Sequence, residues 1–301
     1  MMNPPSGVFA PVVTTFYEAA EGGDVDLASF AANIRAHLAA GLHGIVVTGS
    51  TGEAALLDAD ERGALVDTAR EMVPSDRRLI VGTGAESTRA CIRLTRDAAA
   101  RGADAVLVVA PHYYGASMTE AALAHHYRAV ADASPVPVMM YSIPKYMHFA
   151  IPASLVAELA THENVIGIKD SSGNRELFAE YMKAQSPTFS VLTGNAPMFQ
   201  HALTLGSRGG ILAVALFAAG LTMDIYESML RGDPQAAGAA QARMSPLGSK
   251  IVGELGVAGV KAAMDRVGLF GGPVRSPLLP LDAAQRASVD ELLSVAELVA
   301  A

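Results

Sequence analysis

Short apolar runs alternate along this chain with longer segments whose apolar positions recur at helical spacing. Val8–Val13 and Gly44–Thr48 read as strands, and Leu27–Ala40 and Ala59–Met72 as the helices that follow them. Leu79–Val81 then precedes Thr88–Ala100, Ala105–Val109 precedes Glu120–Ala131, and Val138–Tyr141 precedes Ala153–Ala160. Val165–Lys169 pairs with Arg175–Gln185, Phe189–Leu192 with Pro197–Leu205, and Gly210–Val214 with Ala218–Arg231. Strands that are apolar on both faces and joined only through helices are parallel and buried. Eight consecutive units favour a closed barrel over an open sheet, and no Gly-x-Gly-x-x-Gly follows the first strand. Beyond Arg231 the pattern changes: Pro234–Leu247, Gly259–Val267 and Asp282–Val299 read as helices with no strand between them. The expected architecture is α/β, a (β/α)₈ TIM barrel over residues 1–231 with a C-terminal helical appendage over 232–301.

Composition narrows the function. Hydrophobic residues make up 51% of the 301, enough for a large core. The net charge of −8 and the lack of any Lys/Arg run argue against a nucleic-acid partner. The single cysteine, Cys91, allows no intrachain disulfide and reads as a small core residue. Neither cysteine pairs nor a His-Glu-x-x-His run exists, and His125 and His126 are adjacent, so they point apart; no metal or other cofactor is expected. His112 and His148 fall near the rim, where a solvated loop residue or a substrate contact are both open readings. Met1–Gly7 lacks a signal pattern and Ile211–Met223 is too short to span a bilayer, so no membrane partner and a cytoplasmic location are expected.

In such a barrel the catalytic groups lie at the C-terminal ends of the strands. Lys169 is the outlier there, closing the otherwise apolar run Val165-Ile166-Gly167-Ile168. Burial would lower its pKa and yield the neutral amine a Schiff base needs; a rim lysine with its head in water is the alternative. Gly49-Ser50-Thr51-Gly52 is a turn of small and hydroxyl residues, suited to holding a carboxylate or phosphate, or else to capping the next helix. Tyr141 ends the strand beside that of Lys169, as a proton shuttle or as a packing residue.

At these residues the chain resembles the pyruvate-dependent class I aldolase and lyase superfamily of N-acetylneuraminate lyase and dihydrodipicolinate synthase. The markers run in order from Gly49-Ser-Thr-Gly-Glu53 through Gly82-Thr-Gly84, Pro111-His-Tyr-Tyr114 and Tyr141-Ser-Ile-Pro144 to Gly167-Ile-Lys-Asp170. The resemblance implies that Lys169 forms the imine and Tyr141 relays protons. It implies that Ser50 and Thr51, in the turn opened by Gly49, hold the substrate carboxylate and that the Ile211 carbonyl orients the lysine. Tyr113, or Tyr114 in its place, would reach into a neighbouring subunit of a homotetramer.

Departures from the pattern bear on substrate. Where dihydrodipicolinate synthases resemble Tyr-Asn-Val-Pro-x-Arg-Thr-Gly, this chain has Tyr141-Ser-Ile-Pro-Lys-Tyr-Met-His148, with Tyr146 in the Arg place and Lys145 as a partial substitute. Where neuraminate lyases resemble Gly-x-Asp-Glu, it has Gly194-Asn-Ala-Pro197. The Tyr-Ser-x-Pro run, His125-His126-Tyr127 and Gly271-Gly-Pro-Val-Arg-Ser-Pro277 are most similar to the 4-hydroxy-2-oxoglutarate aldolase group, which implies Ser171 as a contact for the distal part of the substrate. The expectation is a metal-independent Schiff-base lyase that cleaves a 4-hydroxy-2-oxo acid to pyruvate and an aldehyde. The alternatives are 4-hydroxy-tetrahydrodipicolinate synthase, an aldolase or dehydratase of 2-oxo-3-deoxy sugar acids, and a non-catalytic 2-oxo acid binding protein.

Overall fold

A computed structural model describes residues 4–18 and 23–299; the first three residues of the Met1–Gly7 stretch lie outside it. Its core is a closed barrel of eight parallel strands in chain order. These are β1 (Gly7–Pro11), β2 (Gly44–Val47), β3 (Arg78–Gly82), β4 (Ala105–Val109), β5 (Val138–Ser142), β6 (Val165–Asp170), β7 (Ser190–Thr193) and β8 (Gly209–Ile211). Almost every strand residue is buried, as expected of a parallel barrel sheathed by helices. The (β/α)₈ expectation is met, and helices continue beyond the barrel to Val295.

Element ends differ from the sequence expectation for identifiable reasons. β1 stops at Pro11, which has no N–H for the ladder, and Thr14 turns its hydroxyl onto the Gly52 carbonyl at 2.6 Å. β8 is three residues long because the next apolar residues, Ala213–Leu216, close into a tight 3₁₀ turn through Ala215 N–H donating to Leu212 O at 3.1 Å. A short apolar run does not distinguish these two conformations. A short helix, Pro144–Met147, follows β5 with Pro144 in the first turn, where a missing N–H costs nothing.

The larger surprise is residues 247–254. The helix Pro234–Pro246 continues into a π-helical segment, Leu247–Glu254, and a bend at Leu255 and Gly256, the latter at φ 64°, leads into helix Gly256–Arg266. The Leu255 N–H reaches back five residues to the Lys250 carbonyl at 3.0 Å. Pro246, unable to donate to the turn before it, stands at the junction. Gly248 lets the segment press onto the β7 loop: a Cβ there would lie 2.7 Å from Ala196 Cβ. The C-terminal helices therefore touch the mouth of the barrel.

Candidate active site

The C-terminal ends of the strands open into a cavity of about 220 Å³. Ser50, Thr51, Tyr141, Lys169, Ser171 and Ile211 all line it, so six of the expected site residues meet in one place.

Lys169 is 6% exposed, and the alternation of β6 turns it inward while Asp170 turns out. Burial alone pulls its ammonium down from 10.5 to about 7, so near neutral pH much of the side chain is free amine. In register it stands beside Tyr141 on β5, with Nζ 4.2 Å from the centre of the phenol ring. Tyr141 is buried too, which pushes its hydroxyl up to about 12, and hydrogen bonds to the Ser171 and Ser50 side chains pull the other way. At neutral pH this phenol carries its proton, and two hydroxyls are in reach to exchange it.

Asp170 organises the strand end from outside the barrel. Its carboxylate accepts from Ser172 N at 3.1 Å and Ser172 Oγ at 2.8 Å, and burial raises its carboxyl to about 6. Its carbonyl accepts from Gly194 N at 2.6 Å. Gly194 is the floor of the site: a Cβ there would lie 2.0 Å from Ser171 Oγ and 2.7 Å from Lys169 Cε.

The turn after β2 is held in an uncommon shape. Thr48, a β-branched residue, has φ 52° and Glu53 has φ 55°, both in the left-handed region. Within the turn, Gly52 N and Ala54 N donate to Gly49 O at 3.0 and 3.3 Å, and Glu53 N donates to Ser50 O at 3.2 Å. Among the described residues nothing accepts from the Ser50 and Thr51 N–H groups, and both residues face the cavity. Two free backbone donors beside two hydroxyls suit a carboxylate.

Not every expected contact is present. Gly49 shapes the turn but does not line the cavity. No hydrogen bond joins the Ile211 carbonyl to the Lys169 amine. Tyr113 and Tyr114 are 78% and 70% exposed, stacked edge to face on a surface loop outside the cavity. Glu86 fixes that loop by accepting from His112 N and Tyr113 N at 2.9 and 2.8 Å. His112 and His148 do not line the cavity either. Among the described residues no group of three His, Cys, Asp or Glu could hold a metal ion, and no helix is long and apolar enough to cross a membrane.

One wall of the cavity was not expected from the sequence. Ser249, Val252, Gly253, Gly256, Val257 and Val260, from the π-helical segment and the helix after it, face Lys169 across the cavity. The run of glycines at 248, 253, 256 and 259 was the only signal for it. Lys145 also lines the mouth, its Nζ donating to Gly253 O at 2.7 Å. Of the five lysines, Lys183, Lys250 and Lys261 each pair with a carboxylate, at 2.6, 3.0 and 2.5 Å. Among the described residues Lys145 and Lys169 have none, and both open onto this cavity.

Comparison with known proteins gives a consistent picture. Residues 4–296 match the family described as the dihydrodipicolinate synthetase family. A 4-hydroxy-tetrahydrodipicolinate synthase from an Exiguobacterium species is 34% identical over 292 residues, covering 97% of each chain. Another from Stenotrophomonas maltophilia is 34% identical, covering 95% of each. Among solved structures, the dihydrodipicolinate synthase of Acinetobacter baumannii complexed with pyruvate superposes with a TM-score of 0.92 at 28% identity, covering 98% of this chain and 99% of that one. The Escherichia coli prophage protein YagE, also complexed with pyruvate, superposes with a TM-score of 0.90 at 30% identity, covering 97% and 99%.

Proposed function

This chain belongs to the dihydrodipicolinate synthetase family, and we propose that it is a Schiff-base lyase cleaving a 4-hydroxy-2-oxo acid to pyruvate and an aldehyde. The observation that carries this reading is the buried, unpaired Lys169 amine, pulled down to about 7, beside the Tyr141 phenol. The neutral amine attacks the C2 carbonyl, and the Tyr141 phenol gives its proton to the departing hydroxyl, so that water leaves, a protonated imine remains and Tyr141 is left as the phenolate. That cation is an electron sink. Tyr141, passing protons through the Ser50 and Ser171 hydroxyls, accepts the proton of the C4 hydroxyl as C3–C4 breaks. The bonding pair moves to C3 and forms the enamine of pyruvate. Protonation at C3 and addition of water release pyruvate and restore the amine. The substrate carboxylate sits on the Ser50 and Thr51 donors, which are already oriented and need no rearrangement.

Lys145 supports a substrate with a second carboxylate, such as 4-hydroxy-2-oxoglutarate, because among the described residues its charge at the cavity mouth has no counter-ion. Ser171 faces the same distal part. Tyr113, exposed on its own chain, suits a contact with a second subunit of a homotetramer. The names of the relatives support a second reading, in which the same imine, as enamine, condenses to give 4-hydroxy-tetrahydrodipicolinate.

Borohydride added with pyruvate is expected to reduce the imine and fix a pyruvate-derived mass on the Lys169 peptide. No adduct, or an adduct on another lysine, refutes the imine reading. Pyruvate release from 4-hydroxy-2-oxoglutarate, set against formation of 4-hydroxy-tetrahydrodipicolinate, decides between the two reactions.

A further inference from the structure

A glutamate and a lysine are buried together near the site and have no part in the chemistry above. Glu53 closes the turn that holds Ser50 and Thr51, and Lys261 belongs to the helix Gly256–Arg266. Their side chains are 0% and 1% exposed, and Lys261 Nζ lies 2.5 Å from Glu53 Oε1. The other carboxylate oxygen, Oε2, accepts from Arg275 N at 2.8 Å. Lys261 also donates to Pro273 O at 2.6 Å and stands 4.6 Å from the centre of the Phe16 ring.

A buried ion pair is weak evidence for stability, since desolvation offsets much of the attraction. It does impose geometry, and here geometry is what needs support. The turn is bracketed by two non-glycine residues in the left-handed region, Thr48 and Glu53. Such conformations persist only where surrounding contacts over-determine them. At the Thr48 end, its own hydroxyl donates to Gly82 O at 2.8 Å within the barrel. At the Glu53 end, the contacts of its carboxylate come from the C-terminal part of the chain, through Lys261 and Arg275. The preceding residue of that same helix, Val260, lines the cavity.

We infer that Glu53, through its buried pair with Lys261, is a positioning residue that aims the Ser50 and Thr51 donors at the substrate carboxylate. The C-terminal helices thereby set the preference of the site for carboxylate-bearing ketones, while Lys169 makes the imine. The inference rests on the imine reading and concerns only how the carboxylate is held.

The test compares borohydride trapping of pyruvate with trapping of acetone, a ketone without a carboxylate. Removing one partner leaves a buried charge unpaired and can prevent folding, so the informative protein is the Glu53→Leu/Lys261→Met double variant. It is expected to fold, to trap acetone at a rate within about twofold of the wild type, and to need at least tenfold more pyruvate for half-maximal trapping. A Glu53→Gln/Lys261→Met variant keeps an acceptor for Arg275 N–H and is expected to recover part of the loss. The inference is overturned if the pyruvate-to-acetone preference of the Leu/Met variant stays within twofold of wild type. It is equally overturned if both ketones lose reactivity in parallel, or if that variant does not fold while the Gln/Met variant folds with wild-type preference. A wild-type protein that traps neither ketone at Lys169 overturns the imine reading and this inference with it.

Discussion

Replacing Lys169 by Met keeps most of the length of the side chain and removes the amine, and should stabilise the fold in a pH-dependent way. Burial lowers the lysine from 10.5 to about 7. A group with that displacement binds more protons in the unfolded chain than in the folded chain between those two values. Wild-type stability therefore rises with pH across the window from about 7 to 10.5, where the folded protein holds the neutral amine. Below about pH 7 both states are protonated and the full cost of burying the ammonium is present. Each unit of displacement corresponds to about 1.4 kcal/mol, so that cost is roughly 5 kcal/mol. At pH 9 about 2 kcal/mol of it remains.

The advantage of Lys169→Met over wild type should accordingly shrink by roughly 3 kcal/mol between pH 6 and pH 9. Urea unfolding of both proteins at several pH values measures it, since groups that titrate alike in both cancel in the difference. A difference that does not change with pH would mean the lysine titrates near its ordinary value, and the account of its nucleophilicity would fail. The same displacement leaves about half of the amine neutral at pH 7, against about one part in three thousand for an unshifted lysine. The barrel thus trades stability for a roughly thousandfold gain in available nucleophile.

Tyr141→Phe removes the proton relay and leaves the ring beside Lys169. It should lower kcat by about 10² to 10⁴ and leave borohydride trapping of pyruvate detectable. Gly194→Ala places a methyl 2.0 Å from Ser171 Oγ and 2.7 Å from Lys169 Cε; a loss of at least about tenfold in trapping rate is expected, with stability lowered by about 1–3 kcal/mol. Lys145→Met should raise KM for 4-hydroxy-2-oxoglutarate by about tenfold, as loss of one charge-assisted contact implies, with little change in pyruvate trapping. An unchanged KM in a steady-state assay would remove Lys145 from substrate binding.

What was legible in the sequence follows a physical divide. The strands were legible because burial on both faces demands apolar runs, and the helices because one face must be apolar. Lys169 was legible because it breaks that rule: a charge at the end of Val165–Ile168 has to be explained by pairing, by solvent or by chemistry. The Ser50–Thr51 turn was legible through its glycines. Strand ends were less so, because Ala213–Leu216 buries the same side chains whether it is a strand or a tight turn. Residues 248–258 left only their glycines as a signal, since a π-helical turn is decided by how a segment packs and leaves little trace in composition.

The same divide explains why the reaction was easier to read than the substrate. Imine chemistry needs groups that violate local rules, and a buried amine with a phenol beside it stands out against an apolar strand. The opposite wall, where Val252, Val257 and Val260 line the cavity, is of another kind. Those valines obey the ordinary pattern of an amphipathic helix, so on the chain they are indistinguishable from core residues. Only the path of the helices after Arg231, folding back over the barrel mouth, brings three unremarkable side chains to the cavity. A lone cation such as Lys145 belongs with them: it looks like any exposed lysine until the other lysines outside the barrel are seen to be paired. The proposed chemistry rests on residues that stand out locally, while the shape of the cavity is a property of the fold that brings the C-terminal helices to them.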